Sequence, residues 1–242
     1  MRIAIVSDVH GNVVSLDAVL SDLDTVRPDV VVLGGDLALG GPRPVEVVDR
    51  LRELGWPSVL GNTDDVLAPE RMRRELEGTF VAQAAARTRE MLGPDRVAWL
   101  TSRPLQWRGD GIAVMHAVPG DCWSIVPHDA DDEVLRGTYG PLGVPVAVYG
   151  HIHHPYVRNM GDLTVVNSGA LSLSLNGDLR ACYVVVEDGA IAHRQVAYDV
   201  ERVADDLFSV GYPNAATYAS WLRTGIWTSP PRTKEVSPPP SN

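Results

Sequence analysis

The sequence predicts an α/β fold. Short apolar runs, each closed by a glycine or polar turn, alternate with helix-period segments through the first 60 residues. Strand-like runs return after residue 110, and Asp188-Gly189 separates the last two as a tight hairpin turn would. With 45% hydrophobic and 21% charged residues, the 242-residue chain has the composition of a domain with a packed core.

In order, residues 3–6 read as a buried strand. Leu16, Val19, Leu20 and Leu23 then fall at i, i+3, i+4, i+7, the apolar stripe of a helix. Residues 30–33 form the next strand, Val47, Val48, Leu51 and Leu54 mark the next helix, and residues 58–60 make a third, short strand. This βαβαβ pattern predicts a parallel sheet. Residues 68–94, rich in alanine, arginine and glutamate, predict two inserted helices acting as a lid or cap. Strands are expected at 112–115, 144–149, 164–166, 181–186 and 190–196, and a helical segment at 200–227 with a break near Gly211 and Pro213. The expected organisation is a single domain over residues 1–228 and a proline-rich extended tail at 229–242.

Charge and cysteine content exclude several functions. With 21 Lys+Arg against 31 Asp+Glu the net charge is −10, which repels phosphate backbones and excludes non-specific duplex nucleic acid binding as the main task. Cys122 and Cys182 are too few for a disulfide scaffold or a thiolate zinc cluster. The apolar run at 3–6 ends in a carboxylate and is too short for a signal peptide. No stretch approaches the ~20 apolar residues of a membrane span. The expectation is a soluble cytoplasmic protein with no membrane partner.

The chemistry lies in motifs that follow apolar strands, where open α/β sheets place ligands. They are Asp8-Val9-His10, Gly35-Asp36, Gly61-Asn62-Thr63-Asp64, His116 and Gly150-His151-Ile152-His153. Aspartate, asparagine and imidazole form a mixed O/N donor set suited to Mn, Fe, Zn, Co or Ni, whereas calcium would want mainly oxygens. Two ions sharing a carboxylate, ~3.5–4 Å apart, could hold an in-line phosphoryl displacement from both sides. The bland alternative is that these side chains only hydrogen-bond one another.

This ordered set resembles the calcineurin-like metallophosphoesterases, in particular their small bacterial and archaeal phosphodiesterase branch. The resemblance spans roughly residues 1–190 and includes Val166-Asn167-Ser168-Gly169. It implies a four-layer α/β/β/α sandwich with two mixed β-sheets. It also implies two divalent transition-metal ions, manganese first, with Fe, Zn, Ni or Co as alternatives. Asp8, His10 and His153 would hold the first, Asn62, His116 and His151 the second, and Asp36 would bridge them. The implied activity is that of a dinuclear phosphohydrolase using a metal-activated water, a phosphodiesterase on a small phosphodiester or nucleotide. Alternatives are a phosphomonoesterase, a dinucleoside polyphosphate hydrolase, or a metal-binding scaffold with lost catalysis.

Thr63 departs from the GNH form of the motif, whose histidine would assist the leaving group. Asp64 enters the catalytic set with Asp36, Asn62 and His116 as a substitute acid, beside Asp121 and His154. Asn12 reads equally as a helix cap or a phosphate contact. Arg71, Arg73, Arg74, Arg87 and Arg89 read as a solvated face before phosphate ligands, and Trp99, Trp107 and Trp123 as packing before base-stacking platforms. His128 and His193 read as surface residues.

Overall fold

The computed structural model describes residues 1–228; the proline-rich tail expected at 229–242 lies outside them. One mixed sheet contains β1 (Arg2–Val6), β2 (Val30–Leu33), β8 (Ala181–Glu187) and β9 (Ala190–Val196), in the order β2-β1-β8-β9. The other contains β3 (Gln106–Gly109), β4 (Ile112–Met115), β5 (Val146–Tyr149), β6 (Tyr156–Asn159) and β7 (Thr164–Asn167), in the order β3-β4-β5-β7-β6. Within the first sheet β1 pairs parallel with β2 and antiparallel with β8, and within the second β5 lies parallel between β4 and β7.

Alternate residues of the central strands serve different cores. Ile3 and Ile5, with Val32, Val184 and Val186, face Ile112, Val114, Val146, Val148 and Val166 of the opposite sheet. Their neighbours Ala4, Val6, Leu33 and Tyr183 pack instead under α1 (Val13–Val26) and α2 (Pro44–Leu54). On the far side Met115, Ala147, Tyr149 and Val165 pack against Leu135 and Tyr139 of α5 (Asp132–Tyr139). The layers are therefore α/β/β/α. Burial on both faces is why these strands are continuous apolar runs rather than alternating ones. Each buried Val or Ile contributes roughly 1.5–3 kcal/mol, so a charge at Val148 would break the middle layer.

Several elements differ from the sequence-based expectation. The strand expected at 58–60 is a single parallel bridge, Leu33 to Ser58. The insert expected as two helices over 68–94 instead contains short 3-10 turns at Pro69–Arg71 and Arg74–Leu76, after α3 (Asn62–Asp65), and then α4 (Phe80–Thr101). Helix begins only where Thr79 caps it and the buried face of Ala84, Ala85, Thr88 and Leu92 starts. It breaks at Gly93 (φ 70°) and restarts at Pro94, since proline opens a helical segment but cannot continue one. The second half persists to Thr101 because Val97 and Leu100 are buried. Strands β3 and β6 and helix α5 were not anticipated; β3 and β6 are edge strands whose solvent-facing residues blunt the apolar signal.

Asp188 and Gly189 both have positive φ, as the β8–β9 hairpin requires. The C-terminal segment forms α6 (Val200–Ser209) and α7 (Ala215–Thr224), separated at Gly211 and Tyr212. Among the described residues no helix is long and apolar enough to cross a membrane.

Candidate metal centre

The two sheets bring the carboxyl ends of β1, β2, β4 and β5 to one end of the sandwich. Asp8 and His10 follow β1, Asp36 follows β2, His116 follows β4, and His151 and His153 follow β5, while Asn62 opens α3 behind Gly61. Asp8, His10, Asp36, His116 and His153 are all buried. Five donors stand in left-handed backbone, with φ of 58° at Asp8, 49° at His10, 55° at Asp36, 68° at His151 and 54° at His153. Such conformations are costly for residues with a Cβ and cluster at functional sites. Glycine is required where chains meet the donors: a Cβ at Gly61 or at Gly150 would collide with the carboxylate of Asp36 or of Asp8.

In one half of the site the His153 Nε2 lies 3.1 Å from Asp8 Oδ1 and 3.2 Å from His10 Nε2. In the other half the His116 Nε2 and the His151 Nδ1 each lie 2.9 Å from Asn62 Oδ1. Asp36 stands between the halves, one oxygen 3.8 Å from His10 Nε2 and the other 3.4 Å from His116 Nε2. All seven residues expected as ligands are thus brought together. The groups Asp8, His10, His153 and Asp8, Asp36, His116 each converge closely enough to share a cation.

The donor set fits a metal. Carbonyls only accept, so His10 Nδ1–H donates to Leu39 (2.5 Å), His116 Nδ1–H to Gly34 (2.8 Å) and His153 Nδ1–H to Leu173 (2.7 Å). In the neutral rings each Nε2 lone pair then points inward, the arrangement that outer hydrogen bonds impose on ligating imidazoles. His10 and His153 aim two such lone pairs at each other beside two carboxylates, which only a cation can satisfy. His151 differs, because its Nε2 is buried without a partner while its Nδ1 faces Asn62 Oδ1 at 2.9 Å.

Protons act as the substitute cations. Burial opposes the charge on His116, but Asp36, its hydrogen bond and Asp8 outweigh it and raise its pKa to about 9. Burial likewise opposes the charge on His153, and Asp8 overrides it upward. Burial and the neighbouring His116 push His151 down to about 4, and burial lowers His10. Against burial, the imidazoles hold Asp8 and Asp36 below the usual carboxylate range, chiefly His153 for Asp8 and His116 for Asp36.

The three substitute acids do not reach the open pocket above the donors. Asp64 is a correction to the expected catalytic set: its carboxylate is buried and accepts the backbone N–H groups of Leu37 (3.0 Å) and Ala38 (3.3 Å), so it holds the loop that carries Asp36. Asp121 accepts from Trp123 N–H and Ser124 Oγ–H, and His154 stacks on exposed His128 with centroids 3.8 Å apart. Thr63 lines the pocket, yet its hydroxyl is shielded and unpartnered, and its N–H donates to Asp36 at 2.9 Å.

Asn12 is the α1 cap, accepting from Ser15 N–H at 3.0 Å. Arg71 pairs with Asp65, Arg87 with Glu90, and Arg73 lies over Trp123. His193 is half-buried and bonds the Asn167 carbonyl. Trp99, Trp107 and Trp123 do not line the pocket; Trp221 and Trp227 do, together with Phe80 and Tyr218. Sequence reading missed these aromatics: Tyr218 and Trp221, three apart on α7, signal only an amphipathic helix, and Phe80 and Trp227 lie outside it.

Known proteins share this fold. A curated protein of Methanocaldococcus jannaschii, described as uncharacterised, is 27% identical over 229 residues, covering 85% of this chain and 91% of its own length. A metallophosphoesterase from Sphaerobacter thermophilus superposes with a TM-score of 0.77 at 26% identity, covering 93% of this chain and 100% of its own. A hypothetical protein from Pyrococcus horikoshii has the same fold, with a TM-score of 0.81 at 16% identity over 94% of this chain and 99% of its own. Residues 1–189 match the calcineurin-like phosphoesterase superfamily domain. The chain therefore belongs to the calcineurin-like phosphoesterase superfamily and is a phosphoester hydrolase.

Proposed function

We propose that this hydrolase is a dinuclear metal-dependent phosphodiesterase acting on a small phosphodiester or nucleotide in the cytoplasm, with manganese as the first candidate metal. The observation that carries the reading is the 3.2 Å approach of His10 Nε2 to His153 Nε2, with both Nδ1–H groups committed to carbonyls and Asp8 and Asp36 alongside. When bound, a pair of divalent ions supplies charge against phosphate oxygens and a water acidic enough to attack near neutral pH.

The chain's own residues do the rest. Asp8, His10 and His153 would hold one position and Asn62, His116 and His151 the other, with Asp36 between them, one oxygen 3.8 Å from His10 and the other 3.4 Å from His116. Carbonyls of Leu39, Gly34 and Leu173 fix three ring orientations before substrate arrives. Among the described residues, the pocket contains no carboxyl or imidazole group beyond the donors themselves. That supports a substrate whose leaving group departs without protonation, such as an aryl diester. The complete donor set supports catalysis over a scaffold role.

The test is hydrolysis of bis(p-nitrophenyl) phosphate by manganese-loaded protein, with metal content measured in parallel. About two ions per chain and turnover abolished by chelation are expected. Asp36→Ala and His116→Ala should each lower turnover by about 10²-fold or more. Full activity in both variants, or in the chelated protein, would overturn the reading.

A further inference from the structure

The walls of the pocket differ in kind from its floor. Its cavity volume is about 190 Å³. His10, Asp36, Asn62, His151 and His153 form the floor, whereas Phe80, Val81, Leu175, Tyr218, Trp221 and Trp227 form much of the wall. Among the described residues no Lys or Arg lines it. Beyond the donors, nothing there would balance a second phosphate.

Half of this wall comes from beyond the family-model match: Tyr218, Trp221 and Trp227 follow residue 189, where that match ends. The segment is seated firmly. The Gly177 N–H donates to the Gly225 carbonyl at 3.0 Å, and the Trp221 indole N–H donates to the Thr228 carbonyl at 3.1 Å. Gly225 has φ +64° and lies so close to Gly177 that a Cβ would meet its backbone at 2.9 Å. Phe80 meets Trp221 edge-on with centroids 5.9 Å apart, and Trp227 lies near-parallel to Trp221 at 6.2 Å. Trp221 is 4% exposed, whereas Trp227, which also lines the pocket, is 52% exposed.

From this we infer that the C-terminal segment selects phosphodiesters carrying one flat, uncharged apolar group, about the size of a single aromatic ring, beside the phosphorus. The inference rests on the phosphodiesterase reading above and adds the substrate class. The volume fits it, since a cavity of ~150 Å³ accommodates one benzene. An offset or edge-on ring gains from the aromatic wall, whereas a polyphosphate chain would bring charge to an apolar surface.

The test holds the leaving group constant. Manganese-loaded protein is given p-nitrophenyl diesters whose second group is methyl, phenyl or choline; water adds to phosphorus, the bond to p-nitrophenolate breaks, and the water's proton goes to solvent. kcat/KM for the phenyl ester should exceed that for the methyl and choline esters by about tenfold, and Trp227→Ala and Phe80→Leu should each shrink that ratio to about threefold or less. Independently, phenylphosphonate should quench tryptophan fluorescence and bind about tenfold more tightly than methylphosphonate, a preference lost in Trp227→Ala. Equal rates across the series, or ratios unchanged in both variants, overturn the substrate class and leave the phosphodiesterase reading intact. No hydrolysis of any ester overturns that reading and this inference with it.

Discussion

The hydroxyl of Tyr212 accepts the backbone N–H of Gly40 at 2.9 Å, and so ties the C-terminal segment to the loop that orients His10. The preceding carbonyl, Leu39, is the acceptor for His10 Nδ1–H. A residue beyond the end of the family-model match thus fixes the ring of His10, an expected metal ligand, through two bonds.

Tyr212→Phe should leave the buried Gly40 N–H unpaired at a cost of about 1–3 kcal/mol in unfolding free energy. It should also weaken metal binding, by up to the ~10–100-fold seen when outer partners of ligating histidines are lost. Denaturant unfolding and metal titration of the same variant check both, and unchanged metal affinity would show that the loop holds His10 without Tyr212.

Asp64 engages the loop that carries Asp36 and does not line the pocket. Burial and the nearby Asp36 raise its pKa to about 7, and its oxygens are engaged by Leu37 and Ala38 N–H. Asp64→Asn keeps an acceptor and, once reloaded with metal, should retain kcat within about tenfold, whereas loss of a general acid would cost ~10²–10⁴-fold. Asp64→Ala removes the acceptor and should lower stability by about 1–3 kcal/mol.

Metal loading should release protons and tighten with pH. His116, raised from 6.5 to about 9, must lose its proton to ligate, so affinity rises as pH approaches 9, by up to about tenfold per unit for each proton released. The metal-free fold responds with the opposite sign. A raised histidine pKa gives stability that is complete below its unfolded value and is lost as pH climbs through the folded one. The His116 contribution therefore disappears between pH 6.5 and about 9. Thermal melts of chelated and loaded protein across this window measure both.

Away from the site, Asp22 joins α1 to the β8–β9 hairpin, accepting from Arg194 Nε–H, Arg194 Nη2–H and Tyr183 O–H, each at 2.7 Å. The Arg194 bond, against a smaller opposing effect of burial, holds its pKa below 3.8. Its contribution is present above that value and lost as pH falls. Asp22→Asn should cost ~1–2 kcal/mol at pH 7 after allowing for solvent screening. The difference from wild type should shrink between neutral pH and a strongly acid pH below that lowered value. Urea melts at the two pH values decide it.

The sequence by itself determined which polar residues stand at the strand ends, and in what order. Asp8, His10, Asp36, Asn62, His116, His151 and His153 are legible because each closes an apolar run, and strands buried on both faces leave such runs unbroken. Resemblance extended this to the layered fold. Only tertiary structure decided the rest, because it depends on contacts between distant segments. Carbonyls of residues 34, 39 and 173 choose which imidazole nitrogen faces inward. Left-handed backbone at five donors is held by neighbouring strands and leaves no compositional trace. Backbone N–H groups 26 and 27 residues away engage Asp64 and hold it off the pocket lining. The aromatic wall was hidden for the same reason: Phe80 and Trp221 meet only after α4 and α7 pack, so neither spacing nor motif marks them as neighbours.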